Sequence, residues 1–175
     1  MPLIVPEIPG AEPAIEALLD HAFGPQRHAK TAQRLRDGSA PAHGLAFLAM
    51  EDDIPVGTLR FWPIRLGEQT AALLLGPIAV DRRLQGRGLG SEMIRHGLRR
   101  ARQFGHASVL LVGDEPYYRR FGFSAALTCR LALPGPVDRR RFLGLELASG
   151  ALADARGMVT AARSNATSPL RRRAA

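Results

Sequence analysis

The sequence predicts a single α/β domain, and three observations carry that expectation. The run Ala72-Leu73-Leu74-Leu75-Gly76-Pro77-Ile78-Ala79-Val80 is continuously apolar, as a central strand buried on both faces must be. Glycines follow at alternate positions, Gly86, Gly88 and Gly90, and run into a helix whose apolar face is Leu89, Met93, Ile94, Gly97, Leu98, Ala101 and Phe104. Gly105 stops that helix and residues 107–112 supply a second buried strand, so residues 71–112 make a β-loop-α-β unit.

The other elements follow in chain order. Residues 3–9 read as a short strand broken by prolines, and Glu12-Pro13 opens a helix with Ile15, Leu18, Leu19, Ala22 and Phe23 at helical spacing, ended by Gly24-Pro25. A second helix is expected over residues 27–36, loosely packed or part of a mobile substrate-side wall because it has few apolar positions. Residues 45–50, 56–66 and 71–80 form a meander of three strands, separated by Asp52-Asp53 and Gly67-Glu68. Gly76-Pro77 in the third strand forces a bulge or a parting, since proline donates nothing to a ladder. Asp114-Glu115-Pro116 starts a short helix through Arg120, capped at Gly122. Closing strands are expected over 123–133 and 142–147, with another near Met158. The domain is taken as residues 1–163, with 164–175 a basic, frayed tail.

A chain of 175 residues can bury a core of its own, and 46% apolar with 23% charged residues is an ordinary globular composition. No stretch approaches the ~20 apolar residues of a membrane span, and the N-terminus lacks a secretory signal, so a cytoplasmic location and no membrane partner are expected. The lone cysteine, Cys129, is read as a buried or half-buried thiol on a strand, not a nucleophile. His21, His28, His43, His96 and His106 have no metal-ligand spacing, and no metal is expected.

The net charge of +8 and pI of 11.2 invite a nucleic-acid reading. It is discounted, because much of the excess sits in Arg139-Arg140-Arg141 and Arg171-Arg172-Arg173, with no aromatic residues interleaved for base stacking. A small polyanion would be steered by the same charge.

The alternate glycines carry the chemistry. Without Cβ atoms they let backbone approach a phosphate, while the first-turn N–H groups and the helix dipole face it. Tight packing alone is the competing explanation. A P-loop needs Gly-Lys-Ser/Thr and a dinucleotide fingerprint needs its third glycine at Ser91, so neither fits.

The run from Ile78 through Gln85-Gly86-Arg87-Gly88-Leu89-Gly90 resembles the acyl-CoA motif of the GNAT family of N-acetyltransferases. Downstream, Tyr117-Tyr118-Arg119-Arg120-Phe121-Gly122-Phe123 resembles that family's Tyr-x-x-x-Gly-Phe segment. Together the two span roughly residues 3–148 and look most like a bacterial subgroup of predicted N-acetyltransferases. The resemblance implies a mixed central sheet of about six to seven strands, splayed at the acyl-CoA site, with helices on both faces. Acetyl-CoA is the implied cosubstrate. Its pyrophosphate would lie on Gln85, Gly86, Arg87, Gly88, Leu89, Gly90 and Ser91, and its pantetheine would pair with Ile78, Ala79 and Val80 like an added strand. The Ile78 N–H would polarise the thioester carbonyl. Tyr118 is the implied catalytic acid for the departing thiolate; Tyr117 is read as packing, with an off-by-one assignment open.

The base is not legible. Some relatives place a glutamate on the strand before the thioester, where this chain has Leu73-Leu74-Leu75; Glu51, Asp52, Asp53, Glu68 and Asp114 sit in turns. The leading expectation is acetyl transfer from acetyl-CoA to a primary amine of a small molecule or peptide. A noncatalytic acyl-CoA-binding module is the alternative, and a nucleic-acid-binding protein the third. Neither the acceptor nor the oligomeric state is encoded in a readable way.

Overall fold

A computed structural model describes residues 1–162. Its centre is a mixed sheet to which eight strands contribute: β1 (Leu3–Pro6), β2 (Ala46–Glu51), β3 (Ile54–Leu66), β4 (Thr70–Val80), β5 (Ser108–Val112), β6 (Leu131–Ala132), β7 (Phe142–Glu146) and β8 (Gly157–Ala161). The order along the main path is β1-β2-β3-β4-β5-β7, all antiparallel except β4 and β5. The last strand, β8, continues the line of β2 along the far end of β3 and also takes up β6. The expected six to seven strands become eight because β6 and β8 extend the sheet.

Helices α1 (Glu12–Phe23) and α3 (Leu89–Gln103) cover opposite faces. In β2, Leu48 packs with Ile15 and Leu19 of α1, while its neighbour Phe47 packs with Met93 and Ile94 of α3. Successive strand residues alternate faces, so the two helices cannot share one. On α3 the buried residues Leu89, Met93, Ile94, Gly97 and Ala101 form the apolar stripe that the helical period predicts. Gly97 is there for close approach: a Cβ on it would sit 2.5 Å from the Phe61 ring.

Two expected elements come out differently. Residues 123–133 are mainly a 3₁₀ turn, Ala125–Thr128, with only Leu131–Ala132 as strand. Ser124 Oγ accepts the Ala126 N–H at 3.2 Å, and Thr128 Oγ1 donates to the Phe142 carbonyl at 2.6 Å. Such local bonds compete with a ladder, and they leave Cys129 exposed, not buried on a strand. The helix expected over 27–36 is a 3₁₀ turn, Pro25–Ala29, and the single turn α2 (Thr31–Arg34). Neither turn has a buried residue of its own, and the segment is held to the body by Leu35, packed with Trp62 and Ile64, and by side-chain bonds. The expected tail, 164–175, lies outside the described residues.

The parting in β4 is what positions the site. Pairing to β3 runs Leu59↔Ile78 and then Phe61↔Leu75, so the cis-linked Gly76 and Pro77 together face Arg60. Pairing to β5 is confined to Leu73↔Val109 and Leu74↔Leu110. Beyond those pairs β4 and β5 diverge, and α4 (Glu115–Tyr118) closes the far side of the gap.

Candidate active site

A cavity of about 700 Å³ opens where β4 and β5 part. Its floor is Leu75 to Ile78 and Leu111 to Asp114, with Tyr117 and Tyr118 on one side. The opposite side comes from residues 23–36 and 136–141.

Strand alternation determines which backbone groups reach the gap. The Asp81 N–H donates to the Val56 carbonyl of β3 at 2.8 Å, whereas the Val80 carbonyl accepts from Gln85 Nε2 at 3.0 Å. Residues 79 and 81 therefore address β3, and Ile78 and Val80 address the gap. The side chain of Ala79 is buried with α1 on the face away from α3.

The glycine loop follows. Gly86 and Gly88 hold φ of 76° and 87°, a region that other residues enter only with strain, and a Cβ at either would meet nothing within 4 Å. Among the described residues the N–H groups of Gly86, Gly88, Leu89, Gly90 and Ser91 donate to no protein acceptor. Unpaired donors with open space at a helix start make a seat for an anion. Arg82, Arg83 and Arg87 are exposed around it; Arg83 is held by Asp81.

Tyr117 bridges the two parts. Its hydroxyl lies 3.2 Å from Ser91 Oγ and 3.4 Å from where a Cβ on Gly90 would sit, close to the Ile78 and Val80 side chains. It thus has a polar contact at the head of α3 and is not only a packing ring. Tyr118 is turned differently: its ring lies against Gly113 and among Phe121, Phe123 and Tyr117. Among the described residues its hydroxyl has no hydrogen-bond partner. Burial first, then Tyr117, push its pKa up to about 12 against a smaller opposing pull from Arg141, so the phenol stays protonated at every ordinary pH.

Of the residues expected from sequence, Ile78, Val80, Gly90 and Ser91 converge with Tyr117. Gly86, Gly88 and the exposed Arg87 lie farther out on the loop. Leu89 is core, and the Gln85 side chain folds back on β4. Arg36, Lys30 and Arg141 also line the cavity. The sequence carries no signal for them, because they come from segments without periodicity that only the fold brings together. Among the described residues no group of three or more His, Cys, Asp or Glu could hold a metal, and no helix is long and apolar enough to cross a membrane.

A parted parallel strand pair and a half-buried phenol thus line one cavity, with a donor-rich helix start beside it. The family model described as the acetyltransferase (GNAT) family matches residues 13–123. The N-acetyltransferase YhbS of Escherichia coli K12, itself described as uncharacterized, is 34% identical over 158 residues, 90% of this chain and 94% of the relative. The crystal structure of E. coli YhbS in complex with CoA superposes with a TM-score of 0.78, covering 91% of this chain and 89% of that one. A GNAT acetyltransferase from Brucella melitensis in complex with acetyl-CoA is 30% identical, with a TM-score of 0.58, covering 83% and 96%. The chain belongs to the GNAT acetyltransferase family and is an acyltransferase.

Proposed function

We propose that this protein transfers an acetyl group from acetyl-CoA to a primary amine by direct attack on the thioester. The observation that carries the reading is the set of unengaged N–H groups of Gly86, Gly88, Leu89, Gly90 and Ser91, beside the gap that Ile78 and Val80 address. Support also comes from the relatives solved with CoA and acetyl-CoA.

On this reading the loop N–H groups and the Ser91 hydroxyl hold the pyrophosphate, and Ile78 and Val80 pair with the pantetheine in place of a β5 neighbour. Ala79 contributes only its backbone to β3, and Gln85 holds the end of β4 in shape by capping the Val80 carbonyl. The Ile78 N–H faces the thioester oxygen, where negative charge grows as the amine adds. Tyr118 gives its proton to the departing thiolate; a phenol that is never ionised at neutral pH is always loaded for that task. Of the two carboxylates lining the cavity, Asp138 is held by Arg140, while Asp114 has no ion pair among the described residues. The amine's proton leaves through Asp114 or through water at the cavity mouth. The test is a panel of amines with acetyl-CoA, scored by release of free thiol. If no class of primary amine raises thiol release above the rate without acceptor, the reading fails.

A further inference from the structure

The side of the cavity away from the glycine loop is basic, with Arg27, Lys30, Arg36 and Arg141 against Asp114 and Asp138. Of the cations, Arg27 is in ion pairs, whereas Lys30 and Arg141 are in none among the described residues. Arg27 is held by Glu16 and Asp20, Lys30 lies 4.9 Å over the Phe23 ring, and Arg141 Nε points to the Gly113 carbonyl at 3.4 Å.

Arg36 differs from them in having a donor buried without an acceptor. Its Nε is shut off from solvent without an acceptor, and Nη1 has one long contact, 3.5 Å to Gln33 Oε1. Among the described residues it forms no ion pair; its chain neighbour Asp37 is taken by Gln33 Nε2 at 2.8 Å. Nη2 lies 3.4 Å from where a Cβ on Gly76 would sit, which puts the guanidinium beside the parted strands, two residues short of Ile78. Burial pulls its pKa down to about 10, so the group is still charged at neutral pH. A half-buried cation with unused donors is costly until an anion arrives, and a guanidinium fork matches the two oxygens of a carboxylate.

The surroundings suit a small ligand. Thr31 Oγ1 donates to the Pro136 carbonyl at 2.6 Å, and Arg34 Nη1 to the Pro134 carbonyl at 2.5 Å. These bonds join the two walls on the acceptor side. We infer that the acceptor carries a carboxylate as well as its amine, and that Arg36 binds that carboxylate. This rests on the acetyl-transfer reading for the amine, but the binding step is separable from it.

Trp62 supplies a built-in reporter. It is the one tryptophan of the chain and donates from Nε1 to the Gly76 carbonyl at 2.6 Å, beside Arg36. The probes are N-acetylated amino acids and the matching N-acetylated amino acid amides, titrated into the full chain while Trp62 emission is followed. Acids should bind about 10- to 100-fold tighter than their amides, the range for a hydrogen bond between charged groups. Arg36→Gln should erase that difference with acetyl-CoA affinity, the folding control, retained. Should that variant fail to bind acetyl-CoA, Arg36→Lys carries the test: charge kept and fork lost, it should lower the preference for acids.

Equal binding of acids and amides, binding of neither, or a preference that survives either substitution in a folded protein overturns the inference. Inorganic phosphate binding tighter than every acid overturns it too, in favour of a phosphorylated acceptor. An arm with N-acetyl-aspartyl peptide amides separates an acidic peptide from a free amino acid as the source of the carboxylate. Acids that bind while no amine releases thiol would keep the carboxylate site and sink acetyl transfer; turnover of neutral amines alone would do the reverse.

Discussion

The wall that runs from β4 through the glycine loop into α3 is built of regular elements, whereas the wall facing it, residues 25–37 and 134–141, is built of single turns. In the first, each functional backbone group is placed by a ladder or a helix start that a buried apolar stripe anchors. In the second, Thr31 and Arg34 reach 105 and 100 positions along the chain to carbonyls of Pro136 and Pro134. On the acetyl-transfer reading proposed above, the rigid wall would hold the part of the substrate that every acyl transfer shares, and the jointed wall would hold the acceptor. Damage to the first should strike chemistry and cosubstrate; damage to the second should strike the acceptor alone.

The largest effect should come from Tyr118→Phe, which keeps the ring among Phe121 and Phe123 and removes only the hydroxyl. A fall in kcat of ~10² to 10⁴ is expected with acetyl-CoA affinity almost unchanged. Tyr117→Phe is the control for an off-by-one assignment. It loses the Ser91 contact, so it should weaken acetyl-CoA binding mildly and leave kcat nearly intact. If Tyr117→Phe takes the loss in kcat and Tyr118→Phe does not, the two roles are exchanged.

Next is Gly88→Glu. The position has φ of 87°, and its space is open. The variant therefore suffers backbone strain and a carboxylate among donors meant for an anion, not a steric clash. Acetyl-CoA affinity should fall ~10²-fold, from strain of ~1 to 3 kcal/mol plus repulsion. Calorimetry that finds the affinity unchanged in a folded variant would refute the anion seat.

On the jointed wall, Thr31→Val keeps shape and deletes the bond to Pro136. One hydrogen bond of ~1 kcal/mol converts to about a fivefold rise in acceptor KM. Acetyl-CoA KM should not move. If both constants rise together, the walls are coupled and the division of labour fails.

The same contrast explains what was legible in the sequence. Periodicity reports burial against a regular neighbour, so the stripe Leu89-Met93-Ile94-Gly97-Ala101 and the run 72–80 are enough to locate α3, β4 and the loop between them. The Gly76-Pro77 pair likewise marks the place where β4 leaves its neighbour. Residues 123–133 mislead because apolar spacing at Leu127, Leu131 and Leu133 fits a strand, while Ser124 and Thr128 supply side-chain bonds that turn the backbone. Arg36 leaves no trace at all. Its meaning depends on lying beside Gly76 and on forming no ion pair, and neither condition can be read from the local sequence.

The smallest effect concerns alkaline stability and uses the first variant again. The Tyr118 pKa is raised to about 12 from an ordinary 10.0, chiefly by burial. A raised value in the folded state means that the neutral phenol is favoured there, so the folded protein binds a proton that the unfolded chain gives up first. The associated stability is therefore full below pH 10 and is lost as pH climbs toward 12. Tyr118→Phe has no such proton to lose. Thermal unfolding followed between pH 9 and pH 12 should show the wild type falling faster than the variant, by ~2 to 4 °C for each kcal/mol in a chain of this size. Parallel curves would mean that the hydroxyl ionises as freely in the fold as in water, and the case for Tyr118 as an always-protonated acid would go with it.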